Sequence, residues 1–187
     1  MNRRSALLAL PTIALLVAVG GCGRSEADLA ADALDRAMKA HVAGRIDEAA
    51  DGYREVLAHD PQNKYAFYNL GLIDQTAGRS DAAERNYRLV LASDPNYGPA
   101  LFNLAIIRAA AGATPEAIDL YRRAVATQPN YAGAHLNLGL LLRASGQKVE
   151  GDAEVKRAIE LDPSLAKNAA PSSGQAPGAK VGPTPTK

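Results

Sequence analysis

The sequence predicts an all-α protein, an α-solenoid of four stacked helical hairpins. Three observations predict it. Pro61, Pro95, Pro129 and Pro163 recur every 34 residues. Gly44, Gly78, Gly112 and Gly146 keep the same interval, as do Asn69, Asn103 and Asn137. Helix formers dominate between these landmarks, and β-branched runs are absent outside Ile13 to Val19. A fixed period of this length means hairpins that bury their apolar faces only against their neighbours.

The chain opens on an address rather than on structure. Arg3 and Arg4 form a basic start, and Ala6 to Val19 is an apolar run interrupted only by Pro11 and Thr12. Such a run is too short to span a bilayer as a mature helix, which needs roughly 20 residues. Residues 1–21 are therefore expected to be an export signal and stay outside the fold. The signal ends in Val19-Gly20-Gly21-Cys22, which resembles the lipobox of bacterial lipoproteins. That resemblance implies cleavage before Cys22 and lipidation of its thiol, the only thiol in the chain. Acyl chains on Cys22 would anchor the protein stably, each buried CH₂ contributing about 0.8 kcal/mol. The Arg3-Arg4 pair only faintly resembles a twin-arginine signal, so the general secretory route is expected. Gly23, not Asp, follows the cysteine, which by resemblance favours the outer membrane in a host that has two. Residues 22–29 make a short tether, with helix-forming sequence from Glu26.

Counting the recurring proline as position 32, the repeats span 30–63, 64–97, 98–131 and 132–165. Each contains two helices. The glycines end each first helix as C′ residues. Thr114-Pro115-Glu116 then reads as N-cap, proline at N1 and an acid in the first turn, with Ser80-Asp81 and Asp47-Glu48 equivalent. The residue before each proline avoids helical dihedrals and stops each second helix. Small residues (Gly71, Ala83) stand where two helices must approach, with Leu70 and Tyr87 beside them.

Leu70-Gly71 and Leu138-Gly139 at positions 7 and 8, Ala49, Ala83 and Ala117 at position 20, and Tyr53, Tyr87 and Tyr121 at position 24 resemble the tetratricopeptide repeat family. The resemblance implies a right-handed superhelix whose concave side holds partner peptides. Departures are Ala33, Phe67, Leu101 and His135 at position 4, and Gly151 and Val155 where Ala and Tyr are usual. Repeats one and four are therefore expected to be looser. No capping helix is expected after Pro163, and residues 166–187, rich in Pro, Gly, Ser and Ala, are expected to be disordered.

Composition closes off most chemistry. Three histidines fall at unrelated repeat positions, and a single cysteine allows neither an internal disulfide nor a cysteine-rich metal site. His135, at a position held elsewhere by Phe67 and Leu101, is expected to be a packed core histidine. Beyond Arg3 and Arg4 the chain carries 19 basic against 20 acidic residues, which argues against a nucleic-acid footprint. No phosphate loop, nucleophile elbow or Ser/His/Asp grouping is present. No enzyme activity, cofactor or metal is expected.

What remains is a surface. The first helices carry more apolar residues than one buried stripe requires. Tyr65, Tyr68, Leu72, Phe102, Ile106, Leu136 and Leu140 occupy positions 2, 5 and 9, three or four apart and so on one helix face. Asn69, Asn103 and Asn137 run between them at position 6. An amide offers a donor and an acceptor, so a row of them can pair with any extended backbone. This row resembles the asparagine ladder of the O-linked N-acetylglucosamine transferase repeats. The lysines and arginine of the co-chaperone carboxylate clamp are missing. The expected function is a membrane-anchored scaffold in the cell envelope that binds a peptide of another envelope protein in this groove. The pilus pilot lipoproteins, which combine a lipobox with such repeats, are one resemblance. The alternatives are a structural solenoid that forms a homodimer through its last helix, or an accessory subunit of a pilus, secretion or outer-membrane assembly.

Overall fold

The computed structural model describes residues 23–168. Eight helices pair in order into four hairpins. These are α1 Glu26–Val42 with α2 Ile46–His59, and α3 Lys64–Thr76 with α4 Ser80–Ser93. They continue with α5 Gly98–Ala110 and α6 Thr114–Thr127, then α7 Ala132–Ala144 and α8 Lys148–Leu161. Among the described residues no helix is long and apolar enough to cross a membrane. The export signal, Cys22 and residues 169–187 lie outside the described residues.

The turn glycines do the work their spacing predicts. Gly44, Gly78, Gly112 and Gly146 all have positive φ, between 74° and 88°. At each, two backbone N–H groups return to the end of the first helix; Gly78 donates to Gln75 O and Arg79 to Asp74 O. This Schellman pairing satisfies the orphan carbonyls. It also leaves only one residue before the next helix. The cap positions are therefore Arg45, Arg79, Ala113 and Gln147, none with a side-chain capping bond, and the expected caps Ser80 and Thr114 are already helical. Their acidic neighbours Asp81 and Glu116 still lie in the first turn, where the helix dipole favours them. Side-chain caps form instead at Ser25, in a capping box with Asp28, and at Asn63. Asp60, Asp94, Gln128 and Asp162 turn extended, φ −133° to −142°, before the four prolines.

The terminal hairpins are not the looser ones. Glycine lets them close to backbone contact: a Cβ on Gly151 would stand 2.7 Å from Gly139 O, and one on Gly52 would stand 2.8 Å from Ala37 Cβ. The substitutions that depart from the family pattern shrink the side chains between the helices, so the helices move together. The C-terminal end differs too. A 3-10 helix, Pro163–Asn168, follows α8 and buries Leu165 against Leu136, Val155 and Ala158. The end of the solenoid is therefore partly covered, and 166–168 belong to ordered structure. At the other end Asp32, Arg36 and Lys39 replace the Ala, Leu and Ile or Leu of positions 3, 7 and 10. Arg36 and Lys39 are exposed, so α1 presents a polar outer face suited to a terminal repeat.

Charge pairs bracket the junctions. Arg88 and Arg108 both reach Glu84 and Glu116 between hairpins two and three, at 2.7–3.2 Å. Arg122 reaches Glu150 at 2.8 Å between hairpins three and four. There His135 is 8% exposed, set between Glu154 at 2.6 Å and Pro129 O at 3.0 Å. It is a packed histidine with both nitrogens engaged. The Arg88 guanidinium, backed by Arg108, holds the Glu116 carboxyl below its ordinary range. A carboxyl whose folded pKa is depressed stabilises fully above its unfolded value, about 4.3, and loses that contribution as pH falls through the folded value. Glu116→Gln should therefore lower urea stability at neutral pH, and the difference from wild type should shrink as pH falls through the folded value of Glu116.

Candidate peptide-binding face

The expected groove residues separate into two layers. Tyr68 and Phe102 are 0% exposed. Tyr68 packs 5.3 Å from Tyr97 and 6.0 Å from Tyr87, centroid to centroid. Phe102 packs 4.8 Å from Tyr131 and 5.8 Å from Tyr121. Leu136 clusters with Val155 and Leu165. These are the same three repeat positions, 5, 24 and 34, used three times over. The residue two places after Pro95, Pro129 and Pro163 folds back across the first helix and encloses position 5. Tyr68, Phe102 and Leu136 are therefore core, and do not form the wall of an open groove. Leu72 and Ile106 join the central core at 8% and 5% exposure. Tyr65, Asn137 and Leu140 remain partly accessible.

The residues that the groove assignment missed are Tyr97 and Tyr131, both half-buried. Their signal was in the period: Tyr97, Tyr131 and Leu165 are each 34 apart. They cover the position-5 side chains and form the outer layer of the aromatic wall. Lys64 sits at its rim, 2.7 Å from Asp94 and 5.5 and 5.3 Å from the Tyr65 and Tyr97 ring centroids.

The asparagines do not form a uniform row of free amides. Asn69 and Asn103 are 0% exposed, whereas Asn137 is half-buried. Asn69 Nδ2 donates to Tyr65 O of its own helix at 2.9 Å. Asn103 Nδ2 donates to the Tyr68 hydroxyl at 3.3 Å, tying hairpin three to hairpin two. Asn137 bonds the Tyr121 hydroxyl, tying hairpin four to hairpin three. Two of the amides thus hold the repeats in register. Two polar atoms nevertheless stay without a hydrogen-bond partner among the described residues: Asn103 Oδ1 and the Tyr131 hydroxyl. The first belongs to the amide that donates to the Tyr68 hydroxyl. Burial pushes the Tyr131 phenol up to about 12 and raises Tyr68, Tyr87 and Tyr121 as well. These hydroxyls are neutral hydrogen-bonding groups across the physiological range. Among the described residues no three His, Cys, Asp or Glu side chains converge as a metal site.

Comparison with known proteins places this geometry. A tetratricopeptide repeat family model matches residues 74–132. No curated protein matches in sequence. Solved structures match in fold. Pseudomonas aeruginosa PilF is 21% identical with a TM-score of 0.67, the match covering 78% of this chain and 68% of that one. MamA is 21% identical with a TM-score of 0.64, covering 74% and 81%. YrrB, a tetratricopeptide-repeat protein described as having an unusual peptide-binding site, is 21% identical with a TM-score of 0.63, covering 75% and 73%. With four 34-residue hairpins, glycine turns in phase and small residues at positions 8 and 20, the described chain has a tetratricopeptide-type fold, and residues 74–132 match that repeat family.

Proposed function

We propose that the protein is a lipid-anchored scaffold of the cell envelope that holds a segment of a partner protein along its first-helix face. The observation that carries the binding half is the run of partly accessible side chains along that face, Tyr65, Tyr97, Tyr131, Asn137 and Leu140. A partner segment that covers these side chains removes their apolar surface from water. YrrB's description as a peptide binder supports the same use of the fold. The anchoring half rests on Cys22 and the apolar segment before it.

Both halves can be tested separately. Metabolic labelling with an alkyne-bearing fatty acid should mark the wild type, and Cys22→Ala should remove the label and release the protein from membranes. An unlabelled wild type would contradict anchoring. The double substitution Tyr65→Ser and Leu140→Ser should reduce partner capture at least about tenfold while leaving the melting curve close to wild type. Unchanged capture would contradict the face.

A further inference from the structure

The three junctions between hairpins are built on one plan, and one of them is incomplete. In hairpins two and three, position 25 holds Arg88 and Arg122, and each reaches the glutamate at position 19 of the following hairpin, Glu116 or Glu150. In hairpin one the same position holds Arg54, but position 19 of the next hairpin is Ala82. Arg54 pairs instead with Asp51 of its own helix, and its side chain is 64% exposed. A second pair of positions, 21 and 11, follows suit. Between hairpins two and three it holds Glu84 with Arg108, an ion pair. Between three and four it holds Ile118 and Leu142, both buried. Between one and two it holds Ala50 with Asp74, and Asp74 turns away to Arg79 and Asn86.

The consequence is a cleft. It has a volume of about 560 Å³ and lies between α2 and the C-terminal end of α3, among the turn residues Thr76 and Ala77. Ile46, Ala50 and Ile73 form its apolar surface, with Asp47 and Asp51 beside them and Arg54 and Arg79 over it. Ile46 is 41% exposed. Tyr65 opens the same helix that this cleft ends, so the cleft is separate from the aromatic face.

We propose that this cleft is a second docking site, a notch for a glutamate-bearing segment of a partner protein. The partner's carboxylate takes the place of the missing position-19 glutamate on Arg54, and an aliphatic neighbour rests on Ile46, Ala50 and Ile73. The molecule itself supplies the template: its two complete junctions show that a glutamate fits this arginine. The acid Asp51 beside Arg54 does not forbid it. Asp119 occupies the equivalent position in hairpin three and faces Arg123, while Arg122 binds Glu150 through both carboxylate oxygens, at 2.8 and 2.9 Å; a partner glutamate must likewise draw Arg54 from Asp51.

The probe is a peptide of the chain's own residues 113–121, acetylated and amidated so that no terminal carboxylate remains; its Glu116 is the residue that meets Arg88 in the intact protein. Titrated into isotope-labelled protein, it should shift the resonances of Ile46, Arg54 and Ile73. Binding should weaken about tenfold with the Glu116→Gln peptide and about tenfold with Arg54→Gln protein. Ala82→Glu protein, which supplies the glutamate from within, should lose the shifts and keep its fold. Equal binding of the two peptides, undiminished binding to Arg54→Gln or Ala82→Glu protein, shifts centred on Tyr97 and Leu140, or no shifts at millimolar peptide would each overturn the notch.

Discussion

Phe102→Ala should lower the free energy of unfolding by about 3–5 kcal/mol, the usual cost of removing a buried aromatic ring. Phe102 is fully enclosed, with Tyr121 on one side and Tyr131 on the other. The ring therefore contributes apolar burial and two aromatic contacts, and its loss opens a cavity that two larger rings cannot collapse into without leaving their own partners. A domain of this kind has only about 5–15 kcal/mol in total. In a solenoid each hairpin is held by its neighbours, so the loss should appear as early unfolding of hairpins three and four. Urea unfolding followed by circular dichroism measures it. Had Phe102 been a groove wall, the same substitution would abolish binding and move stability by no more than about 0.5 kcal/mol.

The second large effect is expected at the last hairpin. Alanine in place of a mid-helix glycine ordinarily stabilises by about 1 kcal/mol. At Gly151 the sign reverses, because the added Cβ would meet Gly139 O at 2.7 Å and the Arg143 backbone nitrogen at 2.9 Å. Both are backbone atoms of α7, which can yield only by moving the whole helix. Gly151→Val should therefore cost about 1–3 kcal/mol as overpacking, or more if α8 detaches with Leu165. Thermal unfolding of Gly151→Ala and Gly151→Val would show a graded loss. A stabilised Gly151→Ala protein would mean that α7 and α8 are not in backbone contact.

The hairpins were legible in the sequence because their determinants are local. A glycine at positive φ, a proline after an extended residue and a small residue between two helices each mark one place in one repeat. The period then extends every inference to its copies. The accessible surface was harder to read, because helix periodicity assigns a residue to a face and does not say what lies over that face. Tyr68 and Phe102 share their face with Tyr65, yet each is covered by a tyrosine about 30 residues further on, from the close of the same repeat. The asparagines illustrate the same limit. Spacing put Asn103 and Asn137 in a row, but whether an amide faces solvent or a neighbouring phenol depends on the preceding hairpin, and Tyr68 and Tyr121 stand there to receive them. The last repeat is not loose for a related reason: a missing tyrosine need not mean lost packing, because Gly139 and Gly151 let the helices take up the space.

Site-specific photocrosslinking in the producing cell tests the central claim most directly. A benzophenone side chain placed at Leu140, on the accessible edge of the first-helix face, is compared with one at Leu89, which is 46% exposed on a second helix. A partner segment held along the first-helix face predicts a discrete adduct from Leu140 and none from Leu89. Adducts from Leu89 alone, or from neither position, would contradict it.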